Sequence, residues 1–121
     1  MRTGTSSEVA GLRGSGGAEE RRKGLLSRYY AEERVEAVLR TYRSPEIAAI
    51  NFRAQGLTGI GSLANAEYEE LIRDIYLVHR PEKMPKLPEL LVKYEGLPGG
   101  LAVFAANAIE KIVIPDRLAW L

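Results

Sequence analysis

His79 is the only histidine in a chain of 121 residues, and so the only side chain whose ordinary pKa lies near neutrality. Acting as a general base, it would need a nucleophile to deprotonate and a third group to orient its ring. Neither partner is identifiable from spacing. Its place just before Arg80-Pro81, in the last turn of a helical pattern, suits a cation capping terminal carbonyls instead. Glu67 and Glu70 come next, because carboxylates at i and i+3 share a helix face and could ligate a metal. Helical carboxylate sites also carry a Glu-x-x-His repeat on neighbouring helices, and this sequence has none. Early glutamates equally favour the positive end of the helix dipole, so a solvated face is expected. A third candidate is the glycine-rich stretch at 56–62, GLTGIGS, whose amides could cradle an anion. It lacks the Gly-Lys-Ser/Thr ending, follows no strand and has no Rossmann spacing, so it reads as an interhelical loop. These residue types predict no catalytic, cofactor or metal site.

Nucleic-acid chemistry would rest on Arg21-Arg22-Lys23 and Arg28. Residues 1–43 hold nine basic and six acidic side chains, for +3, and the remainder eight and ten, for −2, matching the formal net charge of +1. That asymmetry is modest, and Glu19 and Glu20 adjoin the basic run. A dedicated binding face is more strongly basic, so RNA is a secondary expectation.

Composition narrows the remaining classes. A hydrophobic fraction of 45% and a charged fraction of 27% are ordinary for one globular domain. The absence of cysteine removes disulfides, thiol catalysis and Cys-based metal centres, and fits an intracellular compartment, organellar or cytoplasmic. The most apolar window, 97–109, holds 13 residues with Pro98 and Asn107 inside it. It falls short of the roughly 20 apolar residues that span a bilayer, so no transmembrane segment is expected. The start of the chain lacks the apolar core of a secretory signal.

The elements that would position these residues read as helices. Residues 1–24 contain six of the twelve glycines and few large apolar side chains, which predicts an extended tail, flexible or pinned by a partner. From Leu25 the pattern is helical. Val35, Val38, Leu39 and Tyr42 form one face, extended upstream by Leu25, Leu26, Tyr29 and Tyr30, with an end near Arg43. Ser44-Pro45-Glu46 reads as an N-cap, a proline at the first helical position and a dipole-compensating acid. The second helix should run through Ile47, Ile50 and Ala54 and stop at Gly56. A third, starting near Asn65, carries Tyr68, Leu71, Ile72, Ile75 and Val78, with Asp74 outside the stripe. Pro81, Pro85 and Pro88 then mark a corner, and Leu87, Leu90, Leu91 and Tyr94 a short helix stopping at Gly96.

The corner at 76–96 resembles a short helical module that recurs in algal, oomycete and other protist proteins. The shared pattern is Tyr-x-x-x-Asn-Pro-x-Lys followed by Leu-Leu-x-Lys-Tyr-x-Gly. Tyr76, Pro81, Lys83, Leu90, Leu91, Lys93, Tyr94 and Gly96 match it; Arg80 replaces the asparagine, and the glutamates common after the glycine are missing. The resemblance covers about 35 residues of this sequence. It carries no activity, and implies a compact helical tie within larger cytoskeletal, trafficking or accessory proteins.

A last helix is expected from Pro98, weakened at Gly99 and Gly100 by about 1 kcal/mol each relative to alanine. Leu101, Phe104, Ala105, Ala108, Ile109 and Ile112 line one side, and Ala102, Val103 and Ala106 the other. Apolar character all round means burial on more than one face, which a partner chain could supply. A short strand is expected at 112–114, and Trp120 and Leu121 could anchor a partner. The expected fold is all-α, about five short-to-medium helices in a small orthogonal bundle (25–121) behind the tail (1–24). The expected function is a non-enzymatic structural or accessory subunit, or adaptor, of a larger, eukaryotic multi-protein assembly. The expected partners are other protein subunits, met through Arg21, Arg22, Lys23, Val103, Phe104, Trp120 and Leu121. The alternative is a small RNA- or peptide-binding helical module using the basic N-terminal segment.

Overall fold

The computed structural model describes the backbone of residues 16–119 and the side-chain surroundings of residues 21–119. Among the described residues the fold is all-α, as expected. Helix α1 spans Gly16–Thr41, α2 Pro45–Thr58, α3 Asn65–His79, α4 Leu87–Glu95 and α5 Gly100–Ala108. A 3₁₀ helix, Pro81–Lys86, joins α3 to α4. Helix α5 runs on through a π-helical turn, Ile109–Val113, into α6, Ile114–Leu118.

Helix α1 begins nine residues earlier than the change in composition at 24/25 predicts, and residues 16–24 are helical rather than extended. Ala18, Glu19, Glu20, Arg21, Arg22 and Lys23 are good helix formers, and the two glutamates fall near the positive end of the dipole. These local preferences outweigh the glycine content. Residues 1–15 of the expected tail lie outside the described residues. The helix ends where Arg43 takes φ 81°, a left-handed conformation normally left to glycine. Ser44 then caps α2, its hydroxyl accepting from the Ile47 N–H at 3.2 Å.

The face that α2 buries is not the one that Ile47 and Ile50 mark. Ala48, Ala49 and Phe52 are buried, whereas Ile47 and Ile50 are 42% and 64% exposed. The reason is close approach to the start of α5. A Cβ on Gly56 would stand 2.7 Å from the Gly99 carbonyl oxygen and 3.0 Å from the Ala102 Cβ. Only the small-residue face of α2 can come that near. Gly56 therefore does not stop the helix; Gly59 does, at φ 75°, with its N–H on the Gln55 carbonyl at 2.7 Å.

Helix α3 buries Tyr68, Leu71, Ile72, Ile75 and Tyr76, and also Asp74, which the stripe leaves outside. Arg34 of α1 explains the exception, gripping both Asp74 oxygens at 2.9 and 3.0 Å. At the N-terminus of α3, the Glu67 carboxylate accepts from the Ala64 N–H at 3.1 Å, so Glu67 caps the helix. The corner after α3 forms as read, with Pro81 opening the 3₁₀ helix and Leu87 and Leu91 buried. Gly99 and Gly100 belong to the left-handed turn before α5, at φ 84° and 55°, so the helix starts at Gly100 rather than Pro98. The expected strand at 112–114 is helical. Pro115 has no N–H to donate, and the wider turn before it, with the Ile114 N–H on the Ile109 carbonyl, carries the helix past the proline.

The core is one cluster gathered around α5. Leu101, Ala102, Phe104, Ala105, Ala106 and Ala108 are buried, against Phe52 of α2, Ile72 and Ile75 of α3, and Leu87 and Leu91 of α4. Two aromatic ladders run through it. Tyr42, Phe52 and Tyr68 meet edge to face at 5.0 and 5.7 Å. Phe104 stacks on Tyr94 at 4.2 Å and meets Tyr76 edge-on at 6.1 Å.

Candidate interaction surfaces

Helices α1 and α3 run antiparallel, since Arg34 meets Asp74 while Arg28, earlier in α1, donates to the Val78 carbonyl at 3.3 Å. Val78 is the next-to-last residue of α3, so much of α1 upstream of Arg28 runs past the end of its neighbour. Every residue from 21 to 30 is exposed. Leu25, Leu26, Tyr29 and Tyr30, expected to continue the buried face, are 66%, 48%, 54% and 55% exposed. The buried stripe of α1 begins only at Ala31 and continues through Val35 and Leu39.

Beside this segment lies a cleft of about 970 Å³ between α1, the end of α3 and α6. Its charged groups are arranged in pairs. His79 Nδ1 lies 2.7 Å from an Asp116 oxygen, and the Arg80 guanidinium donates to both Asp116 oxygens at 2.9 and 3.1 Å. Those bonds from Arg80, reinforced by His79, hold the Asp116 carboxyl below the usual carboxylate range despite its partial burial. The same carboxylate raises the Arg80 pKa. Arg117 closes the far side on the Glu36 carboxylate. His79 thus ties α3 to α6 rather than only capping its own helix. An Asp–His pair could orient a general base, yet no described hydroxyl forms a hydrogen bond with the ring. Among the described residues no group of three or more metal-ligating side chains occurs either.

A second apolar surface lies on α2. Ile47, Ile50 and Leu57 recur at i, i+3 and i+10 on its outer side, 42%, 64% and 65% exposed, and Ile60 just beyond the helix is 78% exposed. The inner and outer faces of this helix are both apolar. On the inner side Arg53 bridges to α5 and the π turn, donating to the Asn107 side chain at 2.7 Å and to both Glu110 oxygens at 2.8 Å. That bridge lowers the Glu110 pKa and raises that of Arg53.

Comparison with known families, curated proteins and solved structures returned no match.

The residues expected to meet partners divide into three groups. Arg21, Arg22 and Lys23 are exposed on the first half of α1. Phe104 is 3% exposed and belongs to the chain's own core, whereas Val103 is half-buried and packs over Gly56 and Gly99. The all-round apolar character of α5 is satisfied internally by α2, α3 and α4. Trp120 and Leu121 lie outside the described residues. The exposed apolar side chains of α1 and α2 were missed because helical spacing identifies a stripe, not the neighbour that covers it. The legible signal on α2 was its two apolar faces in one short helix, where a core needs only one. No helix among the described residues is long and apolar enough to cross a membrane.

Proposed function

We propose that this protein is a non-enzymatic accessory subunit or adaptor of a larger assembly, held there by protein partners. The observation that carries this reading is the outward apolar stripe of α2, Ile47, Ile50 and Leu57, with Ile60 beside it. Large aliphatic side chains at helical spacing on a solvent face cost solubility and contribute nothing to this chain's own core. A contiguous patch of this kind marks a surface that another protein covers. The helix behind it is anchored by the Arg53 bridge and the close Gly56 crossing, so the stripe is presented without reorganisation, which lowers the entropic cost of docking. The partner is a protein subunit with its own apolar groove.

Native-size fractionation of extracts holding the tagged full chain tests the reading. The wild-type chain should migrate in a high-mass complex. Ile50→Lys with Leu57→Glu should release it while leaving its helical circular dichroism and melting temperature near wild type. A wild-type chain migrating by itself, or a double variant that stays in the complex, would overturn the proposal. The RNA-binding alternative draws on the exposed Arg21 and Lys23, but the exposed Glu32 and Glu33 follow about three turns later on the same helix. It predicts affinity for single-stranded RNA that falls steeply with salt.

A further inference from the structure

We infer that the first half of α1 is a self-association surface, on which a second copy of this chain packs antiparallel about a two-fold axis. The evidence lies in a different helix from that of the proposed function, so the two stand independently. Along α1, Arg22, Leu26, Tyr29 and Glu33 are spaced by four, three and four residues, the spacing of a coiled-coil seam. At 3.6 residues per turn Leu26 stands two and a half turns from Val35, on the opposite side of the helix, while Tyr29 sits at the rim of the cleft. Val35 is 2% exposed and Leu26 48%. Leu25 and Tyr30 flank the seam, and Tyr29 and Tyr30 touch edge to face at 5.3 Å.

The identity of the occupant follows from the order of charges. Leu25, Leu26, Tyr29 and Tyr30, with Ser27 and Arg28 between them, lie between the basic run Arg21-Arg22-Lys23 and the acidic pair Glu32-Glu33. Reversing one copy of the helix about the middle of that segment sets Leu26 opposite Tyr29 and Arg22 opposite Glu33, twice over. A two-fold interface must complement itself, and the order of charges along this segment does so. A parallel pairing would set the basic runs against each other. A guanidinium has five donors, so contacts of Arg22 within its own chain leave room for a partner carboxylate. The surface is one helix wide, which places the dimer at the weak end of specific interfaces, with Kd on the order of micromolar.

Light scattering on the purified full chain during size exclusion, from about 5 to 500 µM, reads this directly. The mass should rise from 13.4 kDa at low concentration toward twice that value. Leu26→Glu with Tyr29→Glu should hold it at the monomer mass, with unchanged helical circular dichroism. Glu33→Arg alone should weaken the dimer at least tenfold, and adding Arg22→Glu should restore it, since the swapped charges again complement each other. A monomer at every concentration overturns the inference, as does growth beyond a dimer. So does a dimer indifferent to the Leu26 and Tyr29 changes, or a double charge swap no better than the single one. None of these results bears on the α2 stripe, whose variants report on the larger assembly.

Discussion

Tyr68 carries its hydroxyl into the core at 1% exposure, and three neighbours satisfy it there. It donates to the Gln55 side-chain oxygen at 2.5 Å, accepts from the Leu63 N–H at 3.0 Å and lies 3.2 Å from the Ser62 hydroxyl. These contacts pin the loop between α2 and α3 to both helices. Tyr68→Phe keeps the ring packing but strands the Leu63 and Gln55 groups, and should cost about 1–3 kcal/mol in urea unfolding. Arg43 is a site of opposite sign. Its left-handed conformation costs roughly 1–2 kcal/mol for a residue with a Cβ, of which glycine's greater freedom when unfolded returns about half. Arg43→Gly should therefore raise the melting temperature by a few degrees, corresponding to roughly 0.5–1 kcal/mol. Asp116 is legible in sequence only as an acid near a proline; its meeting with His79 and Arg80 depends on where α6 lands. Its folded pKa is depressed, so its contribution is present above the unfolded value of about 3.9 and is lost as pH falls through the folded value. The stability gap between wild type and Asp116→Asn should accordingly be full near pH 6 and narrow below about pH 4 in acid titrations of the melting temperature.

At the level of elements, the crossing of α2 over the start of α5 controls the fold's departure from simple pattern reading. Gly56 lets backbone approach backbone, with Gly99 and Ala102 directly opposite. A Cβ there has to displace main chain rather than a flexible side chain, so Gly56→Ala should destabilise by about 1–3 kcal/mol despite its better helix propensity. A melting temperature equal to or above wild type would show that the helices separate freely. The same crossing explains why the Ile47–Ile50 face points outward. Helical periodicity picked out the Ile47–Ile50 face of α2, but volume decided which face is buried: Ala48, Ala49 and Gly56 fit against α5 and isoleucines do not. The corner at 81–96 was legible almost residue by residue, because proline and glycine constrain the backbone locally. The π turn before Pro115 was not. The sequence shows a proline after a β-branched run, and only the continued packing of Ile112 and Val113 on the core keeps that run helical.

For the whole molecule, one contiguous core joins residues from every described helix except the 3₁₀ helix and α6, with Met84 and Ile114 at its edge. Such a core should unfold as a unit. Far-UV and aromatic near-UV circular dichroism should trace coincident urea transitions, and separated midpoints would contradict a single cooperative domain. The exposed first half of α1 contributes little to that unit, so charge substitutions at Leu26 and Tyr29 should leave the transition near wild type. Surface apolar side chains then divide by role. Those on α1 and α2 remain uncovered, whereas Phe104 is already covered from within and Val103 half so.

The sequence by itself determined the helix class, the Ser44 cap and the proline corner, since these follow from backbone chemistry within a few residues. It also determined the charge order around 25–30, which no fold can alter. Tertiary structure alone decided which apolar face of each helix is buried, because burial depends on the size of the facing helix and how near it can come. It likewise decided that Asp74 would be buried under Arg34 and that His79 would meet Asp116, for those partners lie 40 and 37 residues apart in the chain.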